Sequence, residues 1–373
     1  MKKLKITTIV GTRPEIIRMS EIIKKFDKFF EHRLIHTGQN PHPLLKDIFF
    51  KDLDLRGPDV YFGGDQTSLG SFFSNLFLHI EKEFISFKPD AVVILGDTNS
   101  ALSAILAKRL GIPVYHLEAG NRSFDQNVPE EINRRIIDHT SDFNLVYTEL
   151  ARSNLIAEGL HPRKITLIGS PLNEVLAVHK EKIDSSRILD NLKLIRNQYI
   201  LVSAHRQENM DFKPRFESFI STLERVSNVY GYPILVSTHP RTRKLIDLYG
   251  IPRNASITFH EPFNFSDYNH LQKNAFIVLS DSGTISEESA LLGFKAVTIR
   301  DSMERPEALE TGSMILAGTV QESVLQAITI SLASESMRSV PLEYQINDTS
   351  WRVLNFISST VHQHRFWSSL YAT

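Results

Sequence analysis

Apolar residues fall in short continuous runs separated by stretches with helical spacing. Candidate strands of three to seven residues built on these runs recur at 4–10, 32–36, 91–95, 114–117, 144–147 and 165–168, and again at 199–203, 233–237, 256–259, 276–279, 296–299 and 314–316. Runs of this length and β-branched content predict strands, and helices between them predict crossover connections, hence parallel sheets. About six strands in each half match two doubly wound sheets, so the expected fold class is α/β with two Rossmann-like domains. The break falls between 169 and 197, where Lys, Asp and Asn are dense. The domains are therefore read as 1–170 and 171–349. Residues from about 350 to 373 carry helical spacing (Trp351, Leu354, Ile357) and are expected to pack back on the first domain.

In such sheets ligands bind beyond the carboxyl ends of the strands. The residues that follow the apolar runs are unusually polar: Gly-Thr-Arg-Pro-Glu at 11–15, His-Thr-Gly-Gln-Asn at 36–40, Gly-Asp-Thr-Asn-Ser at 96–100, Glu-Ala-Gly-Asn-Arg at 118–122, Ala-His-Arg-Gln-Glu-Asn at 204–209 and Ser-Asp-Ser-Gly-Thr at 280–284. Thr12 and Glu15 have capping-box spacing and Pro14 suits a first helical turn, which also makes Arg13 and the local amides a phosphate grip. Ser282, Gly283 and Thr284 open a helix whose small residues admit a diphosphate, and Glu288 is placed for ribose hydroxyls. Arg305 precedes a proline and is expected to be extended, reaching for phosphate. Asp97 and Glu118 each follow a strand, and Glu130 lies at a helix start. Carboxylates brought together push one another's protonation apart, which suits acid and base roles. His205 adds an imidazole at a fourth strand end. Each segment alone also fits an ordinary cap or solvated loop.

Composition narrows the classes. A net charge of −1 argues against a nucleic-acid or anionic-membrane partner, and no apolar run reaches transmembrane length. The apolar run within 1–10 is too short for a signal peptide core. Cysteine is absent, which removes disulfides, thiolate metal sites and a cysteine nucleophile and fits a cytoplasmic location. No Gly-x-Gly-x-x-Gly follows the first strand, so no nicotinamide cofactor is expected. No metal is expected either; His362 and His364, near the C-terminus, read as exposed.

Taken together the blocks 11–15, 96–98, 118–122, 129–134, 205–208, 281–288 and 304–307 resemble the non-hydrolysing UDP-N-acetylglucosamine 2-epimerase family, over about 4–318. The resemblance implies two domains of the B-type glycosyltransferase architecture facing a cleft, no cofactor, a UDP-sugar substrate and a homodimer. It also implies inversion at C2 by elimination of UDP and re-addition through a 2-acetamidoglycal. Carried over by position, Asp97, Glu118, Glu130 and His205 match the catalytic groups. Arg13, Ser282, Gly283, Glu288 and Arg305 match the UDP contacts, with Thr284 beside them. Arg134 matches an arginine near the carboxylates, and Tyr268 falls where the family often has phenylalanine near the uracil. Segments 36–40, 121–134, 237–242 and 280–288 look like the capsule and O-antigen branch. That branch makes UDP-N-acetyl-L-fucosamine from UDP-2-acetamido-2,6-dideoxy-L-talose. The rival within the family is interconversion of UDP-GlcNAc and UDP-ManNAc. Rivals of another kind are glycosyl transfer on the same fold and non-catalytic UDP-sugar binding.

Overall fold

The computed structural model describes residues 3–63, 67–203, 213–249, 256–334 and 339–368. The chain forms two units, Met1–Val178 with Leu342–Thr373, and His179–Pro341. Each is built on one parallel sheet.

The first unit's strands are β1 (Lys5–Val10), β2 (Glu31–His36), β3 (Val60–Tyr61), β4 (Ala91–Leu95), β5 (Val114–Leu117), β6 (Phe143–Val146) and β7 (Ile165–Leu167). Their order is β3-β2-β1-β4-β5-β6-β7. Pairing is parallel throughout, with Val10 opposite His36, Thr8 opposite Val93 and Leu95 opposite Leu117. The order reverses between β1 and β4, so the polar residues after those strands share one end of the sheet at the switch point. β4 is buried at every position because helices cover both faces, which is why it reads as an unbroken apolar run. β3 was not among the expected strands. Two residues at a sheet edge are too few to create a hydrophobic pattern.

The second unit's strands are β8 (Ile200–Ser203), β9 (Ile234–Ser237), β10 (Ile257–His260), β11 (Ile277–Ser280), β12 (Ala296–Thr298) and β13 (Ile315–Leu316). Their order, β10-β9-β8-β11-β12-β13, repeats the first pattern with the switch between β8 and β11. The apolar core lies on both faces: Ile200, Val202, Leu279 and Val297 pack against the helix Lys213–Tyr230, and Leu201, Val278 and Ala296 pack against Phe263 and Leu271.

The helix Thr349–Trp367 returns to the first unit and lies on the helix Arg13–Phe29. Thr349 Oγ1 donates to the Ile168 carbonyl at 3.2 Å, and Tyr115 and Thr360 share a hydrogen bond of 2.8 Å between hydroxyls. His362 is exposed, but His364 is not as expected: it is buried beside the Phe143 ring and 3.2 Å from Asp142. Two residues along a helix turn about 200°, so the two imidazoles face opposite ways.

Candidate active site

The helix Arg13–Phe29 begins directly beyond β1. Its first turn is closed by Glu15, whose Oε2 accepts from the backbone N–H of Gly11 (2.9 Å) and Thr12 (2.7 Å) and from Thr12 Oγ1 (2.8 Å). Thr98 Oγ1 donates to the other oxygen at 2.9 Å. Burial pushes the Glu15 carboxyl up to about 7 against those hydrogen bonds. Arg13 occupies the first helical position, half-buried, with its guanidinium over the Phe49 ring.

Asp97 and Glu118 stand beyond the adjacent strands β4 and β5. Asp97 Oδ2 accepts from Arg134 Nε and Nη2, each at 2.8 Å. Arg134 in turn donates through Nη1 to Glu131 at 2.9 Å, so this buried arginine joins two carboxylates. Burial would raise the Glu131 carboxyl, but hydrogen bonds from the Ser123 amide and Arg134 outweigh it and lower it. Glu118 adopts φ +66°, a left-handed conformation unusual for a side-chain-bearing residue, which turns the chain as it leaves β5. Its carboxylate accepts from Arg18 Nη1 at 3.0 Å, and a Cβ placed on Gly96 would lie 3.9 Å from the Glu118 carboxyl carbon. The turn bearing Glu118 therefore touches the turn bearing Asp97. The side chains of Asp97 and Glu118 keep 24% and 12% exposure, enough to meet a ligand, while their arginines are sealed. Glu130 sits half-buried in the first turn of the helix Pro129–Thr140, one residue before the buried Glu131.

In the second unit β11 ends at Ser280, and Ser282–Thr284 form the turn into the helix Ile285–Leu292. Ser282 and Thr284 share a 2.9 Å hydrogen bond between hydroxyls. A Cβ on Gly283 would fall 2.3 Å from Glu304 Oε1, so any side chain there would displace the end of Glu304. Glu304 is itself held by Arg300 at 2.7 Å. Arg305 is buried; it donates to the Gly283 carbonyl at 3.2 Å and pairs with Glu287. Its position ties the loop after β12 to the turn after β11. Glu288 accepts from Gln272 Nε2 at 2.6 Å. Gln272 follows Tyr268 by four residues on the helix Phe265–Asn274, so Tyr268 shares a helix face with the residue that bonds Glu288. His205 lies outside the described residues.

Three participants were not singled out from the sequence: Arg18, Glu131 and Glu15 as an acid rather than a cap. A signal existed for two of them. Glu15 and Arg18 interrupt the buried face of a helix that also carries Ile16, Met19, Ile22, Ile23 and Phe26. A charged residue on such a face is normally paired.

Paired carboxylates at neighbouring strand ends can give and take protons, and a small-residue turn with cations near it can carry a phosphorylated leaving group. Known proteins share this build. The family model for UDP-N-acetylglucosamine 2-epimerase matches residues 24–358. The UDP-N-acetylglucosamine 2-epimerase structure from Rickettsia bellii is 40% identical, with a TM-score of 0.90 over 97% of this chain and 98% of that one. The Methanocaldococcus jannaschii UDP-GlcNAc 2-epimerase, in complex with UDP-GlcNAc and UDP, is 33% identical with a TM-score of 0.90, over 95% of this chain and 100% of that one. The UDP-2,3-diacetamido-2,3-dideoxy-D-glucuronate 2-epimerase of Pseudomonas aeruginosa is 30% identical over 334 residues, 88% of this chain and 92% of that protein. The chain belongs to the UDP-N-acetylglucosamine 2-epimerase family.

Proposed function

We propose that this protein inverts C2 of a UDP-N-acetylhexosamine, with UDP-N-acetylglucosamine the substrate its relatives favour. The observation that carries the reading is the juxtaposition of Asp97 and Glu118, each gripped by its own buried arginine. A C2 proton beside an ordinary C–O bond is not acidic enough to be exchanged directly. Elimination solves this: the C1–O bond breaks with its electron pair going to UDP, a base takes the C2 proton, and a C1=C2 double bond forms. A proton then arrives on the opposite face of C2, and UDP adds back at C1. Two faces need separate acid and base groups, for which Asp97, Glu118, Glu130 and His205 are the candidates. Arg13, Arg305, Ser282, Gly283 and Thr284 serve the diphosphate, Glu288 the ribose and Tyr268 the uracil. Arg134 keeps Asp97 in place. Charge grows on the leaving UDP, so these fixed donors matter most in the transition state.

A second substrate reading is UDP-2-acetamido-2,6-dideoxy-L-talose, giving UDP-N-acetyl-L-fucosamine for capsule or O-antigen synthesis. Segment 121–134 favours it, and a relative 30% identical that acts on a different sugar supports the view that substrate varies at this level of likeness. NMR in deuterated water with each UDP-sugar in turn decides. Deuterium at C2 with inverted product in one tube assigns that substrate; silence in both refutes both substrate assignments.

The homodimer belongs to the same proposal. Leu78 and Ile85 on the helix Leu69–Phe87 are each 60% exposed, and Ile132 on the helix Pro129–Thr140 is 59% exposed. The helix Ala104–Arg109 packs against both. Mass measured by light scattering should be twice 42.5 kDa and fall to the monomer in Leu78→Glu/Ile85→Glu. No helix among the described residues is long and apolar enough to cross a membrane.

A further inference from the structure

We propose that His116, oriented by Asp138, is a positioning residue that sets the spacing between Asp97 and Glu118; the inference rests on the epimerase reading of those two carboxylates. His116 lies on β5, two residues before Glu118, and is 1% exposed. Its Nε2 is 2.8 Å from the Gly96 carbonyl, which immediately precedes Asp97. Its Nδ1 is 2.9 Å from Asp138 Oδ1. Asp138, 0% exposed, accepts from Arg122 Nη1 at 2.7 Å and from the Gly120 amide at 3.2 Å, both through Oδ2. Each ring nitrogen thus faces an oxygen, Nε2 the Gly96 carbonyl and Nδ1 the Asp138 carboxylate.

One imidazole thus joins three elements. It ties the end of β4 through Gly96, the turn after β5 through the Asp138–Gly120 bond, and the helix that carries Glu130, Glu131 and Arg134 through Asp138 itself. Glu118, two residues beyond His116, is at φ +66°, a left-handed conformation that a residue with a side chain keeps only when its surroundings impose it. Arg122 closes the set from the other side by donating to Glu158 through Nε and Nη2, each at 2.7 Å. None of these groups is among the residues matched to the substrate.

The test uses the full chain and two variants, His116→Gln and Asp138→Asn. A glutamine amide carries both its N–H groups on one nitrogen and cannot span two oxygens that face different ring nitrogens of the imidazole. UDP affinity should stay within about twofold and KM within about threefold, while kcat for C2 exchange falls on the order of 100-fold, the penalty for a misplacement of ~1 Å. The double variant should be no worse than the poorer single variant, because both break one device. Wild-type kcat in folded His116→Gln, or a loss confined to KM or UDP affinity, overturns the proposal. A second arm needs neither substrate nor variant folding: ¹⁵N NMR of the imidazoles in the wild-type protein at neutral pH. A proton on His116 Nε2, which the Gly96 carbonyl requires, supports it, and an Nε2 without a proton overturns it. A wild-type chain inert towards every UDP-N-acetylhexosamine refutes the epimerase reading instead.

Discussion

Arg18 is 1% exposed, and a guanidinium taken that far from water is tolerated only when its charge is met. Glu118 meets it at 3.0 Å. Glu118→Gln should therefore do two things. C2 exchange should fall by at least ~100-fold, as expected for loss of a proton-transfer group, with UDP affinity unchanged. The melting temperature should also drop, because the buried Arg18 exchanges a carboxylate for a neutral amide at that position. Calorimetric titration with UDP, C2 exchange by NMR and a thermal melt check the three parts. Arg13→Ala should weaken UDP about tenfold or more, since a charge-assisted hydrogen bond contributes about 1.5–3 kcal/mol. Unchanged affinity would remove Arg13 from the diphosphate. Glu15 makes a prediction about pH. Its carboxyl goes from 4.5 in the unfolded chain to about 7 when folded. Between those values the folded chain retains a proton that the unfolded chain has released, so stability falls as pH rises through that window. Glu15→Gln should lose this slope; melting curves that run parallel for both proteins from pH 4.5 to 7 would contradict it.

The turns that present the site differ in how firmly they are built. Gly120 has φ +82°, and a Cβ there would lie 2.3 Å from the Ala151 carbonyl oxygen, which belongs to the backbone of the helix Glu149–Ala157. Neither partner can step aside. Gly283 meets an obstruction at the same 2.3 Å, but the atom is the end of the Glu304 side chain. Gly120→Ala should thus lower the melting temperature sharply, with a cost of about 2 kcal/mol or more, while Gly283→Ala should cost less stability. Its loss should appear instead in UDP affinity, because Glu304 would be pushed off Arg300. Equal melting shifts for the two variants would refute this contrast.

The chain's path sets which part can stand alone. The second unit is one continuous segment, His179–Pro341, with its own core on both faces of its sheet. Expressed by itself it should melt cooperatively. The first unit is interrupted, and its last helix supplies Phe356 against Phe143 and a hydroxyl to Tyr115. Ser350 further bonds Glu174 through its amide at 2.8 Å. A chain ending at Pro341 should lose the fold of the first unit while the second persists, visible as half the melting transition in calorimetry.

Twelve of the thirteen strands among the described residues were readable from the sequence, because a parallel strand covered on both faces has few polar positions to hide it. The strand-end motifs were readable for the same reason: wherever a buried run stops, polar residues must have a task. That rule picked out Asp97, Glu118 and the Ser282–Thr284 turn. It could not separate Glu130 from Glu131. The two are adjacent in sequence but about 100° apart on the helix, one half-buried, the other sealed against Arg134. Nor could it pair Arg18 with Glu118, or His116 with Asp138. Those partners lie 100 and 22 residues apart. Hydrophobic periodicity is a local property, carried by a few neighbouring residues. Which charge meets which depends on how sheets and helices pack, and only the folded chain brings such distant groups within hydrogen-bond reach.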